Sequence, residues 1–304
     1  MMTPTKVLHL WGLDGKPSLI SPESIALCWF LNDNERSTLA VDVVYSNNTD
    51  LSSTGELPLL IDGSGKKTVG LYSIVEVLSE EEDKDKSLLA FALLQFVLQE
   101  MRKCTMYQLY LNPVNYTEYT SKVYSYLLHW PFWYNTPLNN RSAARELCRD
   151  LTISIPDDDE NVSLTGGEID MSDKATDLAQ SKVFKVTRDS KRQQNKKLQE
   201  LKNNSKFTTK LDGILAHWES ARPSLGSSYI PADLLLAAHF KVQMALPQGE
   251  LLRNHLSSRF PTLYHKVNKL IETNDKLNVP NRDPTFNESG NILNSVYNFL
   301  RMSV

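Results

Sequence analysis

Long apolar runs, paired cysteines and clustered histidines are all scarce in this chain of 304 residues. A membrane-spanning helix needs roughly 20 mostly apolar residues. The nearest segments, residues 88–94 and 234–246, are too short or are interrupted by polar side chains, so they are interpreted as buried core helices. Three cysteines lie far apart without a CxxC pair, a usage that favours a reducing compartment. Cys28 falls in an apolar helical stretch and is interpreted as a buried thiol.

The common sequence signatures of enzymes and metal sites are also missing. There is no phosphate-binding loop, no Gly-x-Ser-x-Gly, and no HxxxH or HExxH spacing among the six histidines. His217 and His239 fall within apolar helical stripes and are interpreted as core or boundary residues. A formal net charge of −3 gives no indication of nucleic-acid binding. The sequence therefore predicts a chain with no metal, no cofactor and no nucleic-acid partner.

The first 45 residues predict a β-α-β unit. Residues 7–12 form an apolar strand, and the apolar run 25–31 follows as a helix. Ser21 is the predicted N-cap of this helix, because a proline and a glutamate come directly after it. A second strand is predicted over residues 39–45. The economical arrangement of the two strands is parallel.

A proline at the start of the next strand makes the fold prediction more specific. Pro58 enters the apolar strand 57–61, and residues 68–70 complete a hairpin across the turn 62–65. Strand, helix, strand and hairpin in this order are typical of the thioredoxin-like half of glutathione-transferase-type proteins, where this proline is usually cis. Cis X-Pro bonds are uncommon in general, at roughly 5%. We therefore expect a thioredoxin-like domain over residues 1–80 with a cis bond before Pro58.

Residues 86–304 predict an all-helical C-terminal domain, because helical periodicity replaces strand patterning there. The small domain also ends with a predicted helix, residues 71–78, followed by an acidic linker. The fold class is therefore α/β plus all-α, with a glutathione-transferase-like layout. The helices predicted in the C-terminal domain are 87–110, 114–128, 137–151, 205–221, 231–246, 249–258, 261–272 and 289–302.

A charged insertion at about residues 155–204 interrupts the helical pattern. Its first half is acidic, serine-containing and poor in aromatics, which predicts a flexible segment. Its second half is basic and could form a solvated helix. The alternative is a contact with anionic lipid headgroups or an acidic receptor. The cations assigned to that contact are Lys191, Arg192, Lys196 and Lys197.

The densest aromatic cluster spans residues 130–137, and it has two interpretations. One is an interhelical turn in which Thr136 caps a helix that begins at Pro137. The other is an interface anchor, since Trp and Tyr dominate binding hot spots. The candidate partner-binding residues in this cluster are Trp130, Trp133 and Tyr134.

A glutathione-dependent enzyme would need two features from this scaffold. One is a thiol-activating side chain after the first strand, for which Ser18 or Ser21 could serve. The other is an acidic-Ser pair at the N-terminus of the helix after the hairpin, where the γ-glutamyl carboxylate binds. Residues 70–73 read Gly-Leu-Tyr-Ser, so that pair is absent. A glutathione-binding or glutathione-transferase-type enzyme is the disfavoured alternative, and a non-enzymatic protein without catalytic residues is predicted.

Several segments together resemble the larger metaxin-like subunits of the yeast mitochondrial sorting and assembly machinery (SAM, or TOB). Of these, the segment Ser46–Ser53 is the most specific. Metaxin-like proteins have a transferase-like fold without known transferase activity. One local departure from the transferase pattern is Ile230, which stands where a Ser or Thr usually precedes Asp233 by three residues. The matching segments are residues 9–12, 25–30, 46–53, 133–138 and 282–284.

The resemblance implies a mitochondrial outer-membrane protein transport role on the cytosolic face. The implied partners are a BamA-like β-barrel insertase, a second metaxin-like subunit and an import translocase receptor, with β-barrel precursors contacted indirectly. Residues 292–302 are too short and polar to span a bilayer, so we expect peripheral attachment through protein partners. The polar loop, residues 47–53, contains three further candidate partner-binding residues, Asn47, Asn48 and Asp50. Turn chemistry explains its Asn and Asp equally well.

Overall fold

The structure is a computed structural model, and it describes residues 6–32, 41–79, 84–151, 182–226, 230–276 and 279–290. The chain forms two compact units. The first comprises residues 1–147 together with 214–304, and the second comprises residues 148–213. The predicted division between residues 1–80 and 86–304 stays a prediction. A small N-terminal sheet-and-helix region is followed by a helical C-terminal region, consistent with a glutathione-transferase-like fold.

The N-terminal region is built on a five-stranded sheet with the order β6-β5-β1-β4-β7. Strands β1 and β4 are parallel, whereas β5 is antiparallel to β1 and β6 is antiparallel to β5. A separate hairpin of β2 and β3 leads from β1 to helix α1. The strands are β1 Lys6–His9, β2 Gly12–Leu13, β3 Lys16–Pro17, β4 Val41–Val44, β5 Leu59–Ile61, β6 Lys67–Val69 and β7 Asn281–Arg282.

Helix α1, Pro22–Leu31, begins where the sequence predicts. The backbone N–H of Ser24 donates to the Ser21 hydroxyl at 3.2 Å, so Ser21 is the N-cap. Nine of the ten residues of the helix are buried, which agrees with its nearly continuous apolar sequence. The buried residues include Cys28, as expected.

The hairpin of β5 and β6 also follows the prediction. Leu59 pairs with Val69 and Ile61 with Lys67 across a turn in which Asp62 accepts two backbone hydrogen bonds. The peptide bond between Leu57 and Pro58 is cis, as expected for a thioredoxin-like domain. Helix α2, Leu71–Leu78, comes directly after this hairpin.

The helical region begins with a long, interrupted run. Helix α3, Lys84–Met106, continues as a π-helical segment over Tyr107–Leu111, and a second π-helical segment covers Tyr116–Thr120. Such segments locally widen a helix and leave more of its backbone to side-chain partners. The remaining helices are α4 Pro113–Asn115, α5 Ser121–Leu127, α6 Phe132–Leu147, α7 Lys182–Ala221, α8 Pro231–Ala245, α9 Gly249–Arg259 and α10 Pro261–Asp275.

Helix α8 is the centre of the first unit's core. It packs against α1 and α3 and also contacts α9 and α10, and eleven of its fifteen residues are buried. Ile230 occupies the N-cap position, but its side chain carries no hydrogen-bond acceptor. Asp233 supplies the cap from inside the first turn instead, because its Oδ2 accepts from the Ile230 N–H at 2.9 Å.

Two helix boundaries correct the sequence analysis. Helix α6 begins at Phe132, so the prediction of a helix that starts at Pro137 with a Thr136 cap is wrong, and Pro137 lies inside the helix. Pro137 is the sixth residue of α6, so it removes one i→i−4 hydrogen bond from the helix. The bond before Pro131 is cis. Helix α7 begins at Lys182 rather than at residue 205, which makes the basic half of the insertion helical. The acidic half and the predicted helix 289–302 fall largely outside the described residues.

Strand β7 at the edge of the sheet was not predicted from the sequence. The two-residue strand β7 pairs in parallel with β4, joining Val43 to Asn281 and Val44 to Arg282. So short a segment has no periodicity by which it could be recognised. It brings the C-terminal part of the chain onto the N-terminal sheet. In the described part of the chain, no helix is both long and apolar enough to cross a membrane.

Candidate functional site

Three of the segments that carry the sequence resemblance, residues 9–12, 46–53 and 282–284, lie close together near strands β4 and β7. The side-chain oxygen of Asn47 accepts from the Gly12 N–H at 2.9 Å, and its side-chain nitrogen donates to the Gly12 carbonyl at 2.8 Å. The Asn47 side chain therefore bonds to the Gly12 backbone as a paired strand would. Gly12 is tightly enclosed, because an added Cβ would collide with the Tyr45 ring. Asn47 has a φ of +51°, which Asn tolerates better than most residues. Hydrogen bonds therefore hold the segment around Gly12 and the polar loop together.

The C-terminal segment 281–290 is hydrogen-bonded to the polar loop. Asn48 is buried, and its side-chain amide donates to the Glu288 carbonyl at 3.2 Å. Its carbonyl oxygen accepts from the Asp50 N–H at 3.0 Å and caps a short 3₁₀ turn, Thr49–Leu51. Asn48 therefore links the loop to the end of the sheet.

An ion pair holds the C-terminal segment in its conformation. Both carboxylate oxygens of Glu288 accept from the Arg282 guanidinium, at 2.7 and 2.8 Å, and the Thr285 N–H and hydroxyl each donate to Glu288 at 2.8 Å. Arg282 also lies 3.7 Å from Asp42 on β4. The hydrogen bonds from Arg282 lower the pKa of Glu288 to about 2.

Replacing Glu288 by glutamine should make the free energy of unfolding depend less on pH in the acidic range. The ordinary pKa of 4.5 falls to about 2 in the folded protein, so the carboxylate stabilises the fold above pH 4.5 and that contribution disappears as the pH falls towards 2. We expect Glu288→Gln to be less stable than the unmodified protein at neutral pH. The difference in the free energy of unfolding between the two proteins should shrink as the pH falls from 4.5 towards 2. Urea unfolding at a series of pH values measures it.

Glu76→Gln is the matched control, because Glu76 is an exposed acid on α2 and no ion pair is described for it. It should leave the pH dependence unchanged. A difference between the Glu288→Gln variant and the unmodified protein that stays constant down to pH 2 would show that the Arg282 pair does not stabilise the folded state.

These contacts bear on the candidate residues of the polar loop. The amides of Asn47 and Asn48 bond to backbone groups inside the protein, so turn chemistry accounts for both. Asp50 is exposed. Partner binding by this loop stays a prediction, and its accessible part is centred on Asp50 rather than on the two asparagines.

The hydroxyls considered for thiol activation are already engaged. The Ser21 hydroxyl caps α1 and lies 2.9 Å from the Ser24 hydroxyl, which accepts from the Trp11 N–H at 3.2 Å. Ser18 is buried and hydrogen-bonds to the Tyr119 hydroxyl, whose pKa burial raises to about 12. Neither serine presents a free hydroxyl to a ligand.

Buried aromatic side chains fill the space beside these serines. The Trp11 ring meets the Tyr124 ring edge-on at a centroid distance of 6.2 Å. The hydroxyls of Tyr110 and Tyr124 lie 2.7 Å apart, and the Asn140 amide donates to Tyr124 at 2.8 Å. Burial raises the pKa of both tyrosines, so they remain neutral. This network packs the core and offers no activated group to a thiol.

The position that would bind a γ-glutamyl carboxylate has no acidic-Ser pair in the structure either. Helix α2 starts at Leu71, and its N-cap is Gly70 with no side-chain hydrogen bond. Leu71 is buried, whereas Tyr72 and Ser73 are half-buried in the first turn. The first turn of α2 therefore lacks the side chains that would make a helix N-terminus specific for the tripeptide.

The aromatic cluster divides into an exposed part and a packed part. Trp130 is 68% exposed. Trp133 and Tyr134 are half-buried in the first turn of α6, and their rings meet edge-on at 6.0 Å. Tyr126, which was not singled out from the sequence, is 71% exposed near the end of α5, four residues before Trp130. The chain leaves the helical conformation at Leu128, so no helical spacing in the sequence links Tyr126 to Trp130.

The four candidate cations of the insertion lie in helix α7, but the orientation of their side chains falls outside the described residues. Lys191, Arg192, Lys196 and Lys197 are therefore placed only along the helix, in its first half. Farther along, Asn203, Phe207 and Leu211 are buried. Contact with lipid or an acidic receptor stays a prediction for these cations.

The histidines give no indication of a metal centre. His239 is buried, with its Nδ1 2.8 Å from the Thr105 hydroxyl, which also accepts from the Gln243 amide at 2.8 Å. Burial lowers the pKa of His239 to about 3. Its Nε2 has no hydrogen-bond partner among the described residues. His217, predicted to be a core or boundary residue, is exposed against the Phe96 ring. No group of three or more metal-ligating side chains occurs within the described ranges.

Comparison with known families decides the assignment. The family model for Tom37, described as an outer mitochondrial membrane transport complex protein, matches residues 24–141, and the model for the Tom37 C-terminal domain matches residues 156–303. The chain belongs to the Tom37 family. Tom37 is the metaxin-like subunit of the sorting and assembly machinery, so the resemblance found in the sequence is confirmed. Among curated proteins, no match was found.

Membership in the Tom37 family explains which segments of the structure are shared. The first match contains the polar loop and the aromatic cluster, and the second contains helix α7 and the C-terminal segment that pairs with β4. The chain is therefore an outer mitochondrial membrane transport complex protein.

Proposed function

We propose that this chain is a non-enzymatic, peripheral subunit of the mitochondrial sorting and assembly machinery on the cytosolic face of the outer membrane. It supports insertion and release of β-barrel precursors by binding a BamA-like insertase and a second metaxin-like subunit, and it links the complex to a receptor of the import translocase. The Tom37 match over both halves of the chain carries this proposal.

The packing between β1 and α1 supports a role without catalysis. A glutathione transferase needs a hydroxyl or thiol that can reach the bound tripeptide. Here Ser21 is the cap of a helix, and Ser18 is buried against Tyr119. Both hydroxyls therefore make hydrogen bonds within the protein, and the segment between β1 and α1 serves to position α1.

The exposed aromatic pair supports a binding role. Tyr126 and Trp130 present amphipathic rings to solvent at the junction of α5 and α6. Rings of this kind form binding hot spots because they bury a large area at a low entropic cost. We assign Tyr126 and Trp130, together with the half-buried Trp133 and Tyr134 of α6, to the contact with a partner subunit.

Affinity purification of the tagged protein from mitochondria in mild detergent tests the proposal, with co-purifying proteins identified by mass spectrometry. Recovery of a BamA-like barrel protein together with a second metaxin-like subunit is the expected result. Efficient recovery of the bait without either protein would contradict it.

A second measurement addresses the enzymatic alternative. The purified protein is passed over immobilised glutathione and assayed for thiol conjugation with an electrophilic aromatic substrate. We expect neither retention nor conjugation above the background reaction. Retention that free glutathione competes away, accompanied by conjugation, would replace the scaffold by a glutathione-dependent enzyme.

A further inference from the structure

The first half of helix α7 combines dense positive charge with exposed leucines. Residues 182–206 contain nine lysine or arginine residues and only two acids, Asp189 and Glu200. This stretch belongs to one continuous helix, Lys182–Ala221. A helix with such an excess of one sign is stabilised when an anionic surface lies beside it. The basic positions are 182, 185, 188, 191, 192, 196, 197, 202 and 206.

Two leucines of this stretch point away from the buried side of the helix. Leu198 is 52% exposed and Leu201 is 66% exposed, and their spacing of three residues places them on one face. Asn203, Phe207 and Leu211 are buried. At 100° per residue, this buried stripe lies roughly opposite the two leucines. The leucine face is therefore not needed for packing along the described part of the helix.

We infer that the first half of α7 lies flat on an anionic lipid surface, with Leu198 and Leu201 at the boundary between headgroups and acyl chains. Interfacial helices have this composition: lysine and arginine reach the headgroups, and aliphatic side chains enter the boundary. The positive charge complements an anionic leaflet, and the leucines gain from leaving water. An acidic protein surface would also complement the charge, and the exposed leucines beside the cations favour the lipid interface. The lipid surface accounts for both features.

This inference rests on the proposed peripheral attachment and adds a direct lipid contact to it. The full-length protein is purified and floated with vesicles of equal parts phosphatidylcholine and phosphatidylserine, and with vesicles of phosphatidylcholine alone. We expect binding to the mixed vesicles, weakened by added salt, and little binding to the neutral ones.

Two sets of substitutions separate the charge from the leucines. Joint replacement of Lys191, Arg192, Lys196 and Lys197 by glutamine should weaken binding to the mixed vesicles by about a hundredfold or more, since each cation contributes on the order of 1 kcal/mol at a charged leaflet. Leu198→Gln combined with Leu201→Gln should weaken it by about tenfold through loss of apolar burial. Glutamine preserves helix propensity, and circular dichroism checks the fold.

Matched controls exist elsewhere in the chain. Lys66, Lys266, Lys269 and Lys276 are exposed, and their joint replacement by glutamine removes the same charge outside α7. Leu88→Gln with Leu89→Gln alters a pair of exposed leucines on α3. Both control variants should bind the mixed vesicles like the unmodified protein.

The inference is overturned if neutral vesicles bind equally well, or if either α7 variant binds like its control. Binding to polyglutamate without binding to mixed vesicles would overturn it in favour of an acidic protein partner. Because the vesicle assay contains no other subunit, it can fail while co-purification of the complex succeeds. The reverse result would leave the lipid contact standing without the proposed assembly.

Discussion

Replacing Asp233 by alanine should destabilise the protein by about 3 kcal/mol. Asp233 bonds to the Arg222 guanidinium through both oxygens, at 2.7 and 2.8 Å, and accepts from the Ile230 N–H at 2.9 Å. Both side chains of the ion pair are more than four-fifths buried. Alanine would remove the Asp233 carboxylate from the mostly buried Arg222 guanidinium and would leave the start of α8 without its only described side-chain cap.

The position of α8 in the core makes this a large effect. The helix contacts α1, α3, α9 and α10, so a frayed first turn weakens several packing contacts together. Asp233→Asn should cost less than Asp233→Ala, because the amide oxygen still accepts a hydrogen bond although the negative charge is lost. Urea unfolding of the purified variants, followed by circular dichroism, measures both free energies of unfolding.

Glu250→Ala provides the comparison for this prediction. Glu250 is an exposed acid in the first turn of α9, so its removal changes the helix-dipole interaction without breaking a described ion pair. We expect a loss below about 1 kcal/mol. Equal losses for Asp233→Ala and Glu250→Ala would show that the pair with Arg222 does not stabilise the start of α8.

The cap at Asp233 illustrates where sequence reasoning succeeded and where it stopped. The sequence shows that Ile230 cannot cap a helix, but it does not reveal Arg222, which lies eleven residues away and meets Asp233 only through the tertiary fold. Local signals were sufficient for Ser21, because an N-cap depends on residues within one turn. The hairpin after Pro58 was predictable for the same reason.

Long-range pairings account for most of what the sequence did not predict. Strand β7 has only two residues, and its partner β4 lies more than 230 residues earlier in the chain. Helix α6 starts at Phe132 although Pro137 carries the stronger local signal for a start, because tertiary packing can override propensity. In the candidate interface, composition identified Trp130, but only the exposed fraction of each side chain separates it from Trp133.

Replacing Tyr126 and Trp130 together by alanine should abolish co-purification of the partner subunits while leaving the fold intact. Both side chains are about seven-tenths exposed, so their truncation should change the free energy of unfolding by less than about 1 kcal/mol. A hot-spot aromatic in an interface contributes about 2 kcal/mol or more, so losing two weakens binding on the order of a thousandfold. Thermal unfolding and recovery from detergent-solubilised mitochondria provide the two measurements.

The same substitution at the packed pair separates an interface from a core. Trp133→Ala with Tyr134→Ala removes half-buried rings that contact each other at 6.0 Å, so we expect a clear loss of stability in addition to any loss of assembly. Leu88→Ala is the control for removing an exposed apolar side chain, and it should affect neither measurement. If the Tyr126 and Trp130 variant is folded and recovers the partners in full, the junction of α5 and α6 is not the contact surface, and the exposed Asp50 of the polar loop becomes the next position to test.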